Sequence, residues 1–149
     1  MPTHYQGSEA ERRALDIYIK LLRAADSIAS HALSSVQELG LTVTQFGVLE
    51  ALWHLGPLTL SELANKHLKS ANNLTVVVDN LEKMNLARRE RSTTDRRVIY
   101  VHLTEDGEAL IRQAFPPHVE AVVQLVSVLT EEEQDTLSVL LRRLGKQER

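Results

Sequence analysis

Two groups of residues in this chain have the types and spacing to act on an anion. The first is Lys66, Lys69, Ser70, Asn72, Asn73, Thr75 and Val76, spread over one turn and the start of a helical pattern. The second is Asp95-Arg96-Arg97, in a polar stretch between two strand-like runs. Ser70 is placed to cap the helix it precedes, and the free N–H groups and positive dipole of that first turn suit a phosphate. Asn72 and Asn73 have the donor and acceptor pair that matches the N6/N7 edge of adenine, and Val76 can pack on a thymine methyl. Thr75, Ser70, Lys66 and Lys69 suit phosphate oxygens. An Asn-Asn pair near a helix start also serves as plain capping. In the second group an arginine can enter a narrow minor groove, where negative potential is concentrated. Asp95 can hold a neighbouring arginine in place through a charge-assisted bond.

Charge supports this reading. Residues 66–97 hold eight Lys or Arg against four acids, a net +4 in a chain of −3, so the remainder carries −7. One basic patch on an acidic body is a footprint aimed at an anion. Other chemistries lack their residues. There is no cysteine, which excludes disulfides, Cys-ligated zinc and thiol switches. The six histidines are scattered without ligand spacing, so no metal and no cofactor is expected. No Gly-rich phosphate loop or nucleophile elbow occurs, and an enzyme is not expected. The paired acids Glu131 and Glu133 are explained by a helix cap. No apolar run approaches the roughly 20 residues that span a bilayer, and the N-terminus lacks signal-peptide order, so a cytoplasmic protein is expected.

The elements that must position these groups can be read from periodicity. Ser8 and Glu11, Thr42 and Gln45, Thr59 and Glu62, and Thr130 and Glu133 each have capping-box spacing. The first box opens a helix with apolar residues from Ala14 to Ala32 at helical spacing, stopped at Gly40. Over 9–38 it would be roughly 45 Å long at 1.5 Å per residue, too long for a single small domain to cover. The second opens a largely apolar helix to Leu55, ended by Gly56-Pro57. A short helix starts at Thr59, and then comes the helix from Ser70, whose core stripe is Leu74, Val77, Val78 and Leu81. Its opposite face carries Asn72, Val76, Asp79 and Lys83, where Asp79 can accept from a cytosine or face water. Ala87–Glu90 and Val98–Leu103 read as strands. Thr104 caps a long helix toward Leu129 that Pro116-Pro117 must kink or interrupt, and the last helix has a leucine stripe at 137, 140, 141 and 144. The expected fold is mainly α with a small β-hairpin wing. It is a single domain over 1–149, with a winged helix-turn-helix at 42–104 and helical dimerisation parts at 8–40 and 104–147.

The ordered set Leu41-Thr42-x-x-Gln45, GPLTLSELA at 56–64, SANNLTVVVDNLEKMNL at 70–86, Asp95-Arg96-Arg97 and Leu103-Thr104-x-x-Gly107 resembles the MarR (multiple antibiotic resistance regulator) family of winged-helix transcription factors. The resemblance covers nearly the whole chain. It implies a homodimer that binds a pseudo-palindromic double-stranded operator. Such a protein is most often a repressor released by a small phenolic or aromatic ligand. It also implies that Arg97 is the wing arginine of an Asp-x-Arg motif. Asn80 departs from the basic residue many members carry there, so its DNA contact is altered. FPPH at 115–118 with the NLTxVVDxLEK run is similar to the branch that senses quinones and phenols. Tyr18, Leu22, Phe46, Trp53, His54 and His118 are the candidates to line an effector pocket, with His31 or Arg23 as further polar groups; a Trp or Phe at such spacing also serves as core. The alternative to a DNA-binding regulator is a winged-helix protein-interaction module, whose basic face binds an acidic partner without reading sequence.

Overall fold

The computed structural model describes residues 3–67 and 71–147, without the side chains of residues 71 and 72. The element order is α1 (Glu9–Ala32), α2 (Ser34–Glu38), α3 (Val43–Leu55), β1 (Leu58–Thr59), α4 (Leu60–His67), α5 (Ala71–Lys83), β2 (Ala87–Arg91), β3 (Ile99–Leu103), α6 (Glu105–Val126) and α7 (Glu131–Lys146). All four predicted capping boxes close. Ser8 N–H donates to Glu11 at 2.7 Å and Thr59 N–H to Glu62 at 2.8 Å; Thr42 with Gln45 and Thr130 with Glu133 are reciprocal. The expected N-cap at Ser70, and Lys69 beside it, lie outside the described residues.

Residues 33–118 form one compact unit, and residues 1–32 with 119–149 form the other. The first is built around α3. That helix is apolar on nearly every side, so it is buried through Phe46, Val48, Leu49 and Leu52. Leu63 of α4, Leu74, Val78 and Leu81 of α5, Val101 of β3 and Ile111 of α6 complete the core. The predicted stripe of α5 is buried as expected, with Val77 partly buried at its edge. Packing holds this helix against the poor helix propensity of its three valines. At Gly56, φ is +79°, a conformation that suits a residue without Cβ and turns the chain into β1.

The wing differs from a plain hairpin. Leu58 and Thr59 pair with Val101 and Tyr100, making an antiparallel sheet in the order β1-β3-β2. Two residues next to a Gly-Pro carry too little alternation to announce a strand. β2 extends through Arg91, with Arg89 opposite Val101 and Arg88 opposite His102.

One further expectation is corrected, and of the kink or interruption expected at the proline pair the interruption does not occur. The first helix ends at Ala32, and α2 is a separate short helix after a turn at Leu33; 24 residues span roughly 36 Å at 1.5 Å each. Pro116 and Pro117 lie inside a continuous α6. They remove two amide donors without ending the helix, and the first unit ends at His118, just beyond them.

The second unit is poorly covered. Ala32 is the buried residue of α1, and α7 has none. Ile17, Tyr18 and Leu22 are more than half exposed, as is Leu140, and Leu137, Leu141 and Leu144 are exposed with it. Among the described residues no helix is long and apolar enough to cross a membrane.

The tightest joint lies where α5, β2 and α6 meet. Asn85 takes φ +58°, and Leu86 N–H and Asn85 N–H donate back to Leu81 and Glu82, both at 2.9 Å. This is a Schellman stop, closed by the buried pair Leu81 and Leu86. Thr104 then ties α6 to that turn. Its hydroxyl donates to the Asn85 carbonyl at 2.6 Å and accepts from Gly107 N–H at 3.0 Å. Its own N–H donates to the Leu86 carbonyl at 3.2 Å. Asn85 Nδ2 adds a bond to Asp106 at 2.8 Å. A Cβ on Gly107 would sit 1.9 Å from the Leu86 carbonyl oxygen, so the backbones approach this closely only over glycine. Gly107→Ala is expected to lower unfolding free energy by more than about 2 kcal/mol, as overpacking against backbone does. A urea midpoint equal to that of the parent chain would show that the joint yields.

Candidate nucleic-acid interface

Of the first group, Asn72, Asn73, Thr75 and Val76 lie on α5 and Lys66 in the last turn of α4, while Lys69 and Ser70 fall outside the described residues. Asn73, Val76 and Asn80 are exposed and Thr75 is half-buried; Val76 is 60% exposed. Asn72 lies in the first turn, with its side chain outside the description.

At the wing tip, the turn is closed by Ser92 N–H to the Val98 carbonyl at 2.9 Å and Val98 N–H to the Asp95 carbonyl at 3.0 Å. Asp95 fixes the arginine two residues on. Its Oδ1 accepts from Arg97 N–H at 3.0 Å and from Arg97 Nε at 3.2 Å, and its Oδ2 accepts from Arg97 Nη2 at 3.3 Å. The Arg97 side chain is nonetheless 91% exposed. Its guanidinium is therefore oriented but not covered. These bonds, from the side chain first and then the backbone N–H, hold the Asp95 carboxyl below the usual carboxylate range. The clamp is thus ionised at neutral pH and loosens only in acid, as pH falls through that lowered value. Arg96 is exposed, and its carbonyl accepts from Arg91 Nη1 at 2.7 Å.

All four acids of the basic stretch are occupied by its own arginines. Asp79 and Glu82 pair with Arg89, Glu90 with Arg88 and Asp95 with Arg97. Asp79, expected to meet a cytosine or water, instead has its Oδ1 2.8 Å from Arg89 Nη1. Arg89 and Arg91 entered the sequence reading only as charge, and their contacts give them specific places. A signal existed: strand alternation puts Ala87, Arg89 and Arg91 on one face and Arg88 and Glu90 on the other. At the end of α4, His67 packs on Gly47, where a Cβ would meet its ring at 2.7 Å. Its Nε2 is buried without a partner among the described residues. Burial, aided by Lys66 and opposed by Glu50, lowers its pKa, so it adds no charge at neutral pH.

Of the effector candidates, four are brought together. Phe46 and His118 meet at 4.9 Å between ring centroids, and Trp53 and His54 at 4.8 Å. Phe115 joins them, 5.5 Å from Trp53 and 5.0 Å from His54. Tyr18 and Leu22 belong to the other unit and are exposed. Among the described residues no cluster of three or more His, Asp or Glu could hold a metal.

Comparison with known proteins agrees with this geometry. The family model described as transcriptional regulator SarA/Rot matches residues 32–114. The HTH-type transcriptional regulator MhqR of Bacillus subtilis (strain 168) is 38% identical over 133 residues, covering 89% of this chain and 92% of the relative. The crystal structure of AbsC, a MarR family transcriptional regulator from Streptomyces coelicolor, superposes with a TM-score of 0.84 at 25% identity, over 96% of this chain and 97% of that one. Sco3205, a MarR family regulator from the same organism solved in complex with DNA, gives a TM-score of 0.84 at 28% identity, over 96% and 91% of the two chains. With its helix α5, three-stranded wing and flanking helices, the chain belongs to the MarR family of winged-helix DNA-binding transcriptional regulators and not to an enzyme family.

Proposed function

We propose that the protein is a cytoplasmic homodimeric repressor that grips a pseudo-palindromic operator with two winged heads and is released by a small aromatic ligand. The observation that carries the DNA-reading half is the Asp95 clamp on a solvent-exposed Arg97, together with the exposed face of α5. In this reading α5 lies in the major groove with Asn72, Asn73 and Val76 toward base edges. Ser70, Thr75, Lys69 and Asn80 engage the backbone, and Arg96 and Arg97 reach the minor groove. Residues 42–104 form the DNA-binding part, and residues 8–40 and 104–147 the dimerisation part.

The dimer is supported by the apolar stripes that α1 and α7 leave uncovered within one chain. Burying a leucine is worth about 1.5–3 kcal/mol relative to leaving it in water, so the stripe of α7 favours a second copy. The aromatic ligand is supported by the ring cluster of Phe46, Trp53, His54, Phe115 and His118. A flat ring stacks among such groups, while the two imidazoles offer polar edges to a phenol or quinone.

Two measurements test the proposal. A duplex selected by the protein from a random-sequence pool is compared with a scrambled duplex of equal composition. Arg97→Ala should weaken binding to both and reduce the slope of log affinity against log salt by about 1, one phosphate's worth. Asn73→Ala should instead cost about 1–3 kcal/mol on the selected duplex alone. Unchanged affinity for Arg97→Ala, or equal losses for Asn73→Ala on both duplexes, would remove the assigned roles. Trp53 is the single tryptophan, so its emission reports the ring cluster. Catechol or benzoquinone should change that emission at the concentration that releases DNA; release with a silent Trp53 would place the effector elsewhere.

A further inference from the structure

We propose that Arg89 is a positioning residue that locks the reading helix to the wing, with Asp79 and Glu82 serving as its anchors and not as contacts to DNA. The inference rests on the DNA-reading proposal above and adds to it the part that sets the orientation of α5.

The register places Arg89 opposite Val101, a fully buried residue on the inner face of the sheet. Alternation reserves that position for an apolar side chain. A guanidinium there, with its side chain only 24% exposed, is costly unless its donors are met. They are met by α5. Nη1 pairs with Asp79 at 2.8 Å and also with Glu82, and Nη2 donates to the Thr75 carbonyl at 3.3 Å. Thr75, Asp79 and Glu82 lie one above another at helical spacing, so one planar fork grips about two turns of the helix. A lysine has the charge but not the rigid fork that reaches three acceptors.

Recognition is affected in two ways. First, the helix that carries Asn73 and Val76 cannot roll or slide against β2 without breaking these bonds. Second, two carboxylates on a helix meant for a polyanion are neutralised from behind. Repulsion alone predicts that removing Asp79 would improve DNA binding. The positioning role predicts the reverse for sequence preference.

The test uses the full-length protein, the selected duplex and its scrambled partner. Arg89→Gln and Asp79→Asn should each narrow the preference for the selected duplex by about tenfold (about 1.4 kcal/mol). The salt slope on the scrambled duplex should not change, since Arg89 neutralises no phosphate. Arg89→Lys should restore part of the preference. The double variant should lose no more than Arg89→Gln alone, because both substitutions break one unit. Should Arg89→Gln fail to fold, Asp79→Asn, an exposed position, decides alone. The proposal is overturned if Asp79→Asn binds both duplexes more tightly with preference intact, or if the two losses add. Absence of any preference in the parent protein would instead defeat the DNA-reading proposal itself, and this one with it.

Discussion

The contact between Gly107 and the Leu86 carbonyl is the constraint on which the unit of residues 33–118 depends. At that point α5 has just stopped, β2 is about to start, and α6 is beginning its first turn. A Schellman stop at Asn85 satisfies the last carbonyls of α5. Thr104 accepts from an amide in the first turn of α6 and binds the same turn. The three elements share their end groups, and none can reorient without leaving buried backbone polar groups unpaired. This joint also explains why a small unit can present a defined surface. The orientation of α5 is set at its C-terminal end by backbone and along its length by the core stripe of Leu74, Val78 and Leu81.

Electrostatics is arranged with the same economy. A basic surface is needed for affinity, yet a dense cluster of like charges repels itself. The acids of residues 66–97 are distributed so that each holds an arginine in a useful place. Asp95 fixes Arg97 at the wing tip, Glu90 holds Arg88 on the outer strand face, and the Asp79–Glu82 pair holds Arg89 against α5. The acids contribute geometry, and the surplus of basic groups contributes attraction.

The two compact units differ in how they meet their hydrophobic requirement. Residues 33–118 bury their apolar stripes against one another. The helices of the chain ends do not, and leave leucines and valines in solvent on a single chain. The proline pair of α6 stands at the last turn of the first unit, beside the Phe115 and His118 rings that join the aromatic cluster. In the proposed function, α6 therefore contributes Phe115 and His118 to the ligand-sensing cluster that α3 supplies with Phe46, Trp53 and His54.

By itself the sequence determined the local features. Four capping boxes, the stripe of α5, the strand alternation and the Asp95 clamp were all legible, because each depends on residues within a few positions of one another. The resemblance carried by residues 41–107 supplied the family that the fold and the comparisons then showed. Tertiary structure alone decided the rest. The strand β1 exists because Val101 and Tyr100 offer it an edge some forty positions away. The break after Ala32 leaves no mark in apolar spacing. Asp79 is paired within the chain because Arg89 arrives from another element. Gly107 is read locally as one glycine in a helix start, and only the approach of Leu86 shows why no other residue fits. Local patterns report the residue's own geometry; partners brought by the fold decide what its charge, or its missing side chain, is for.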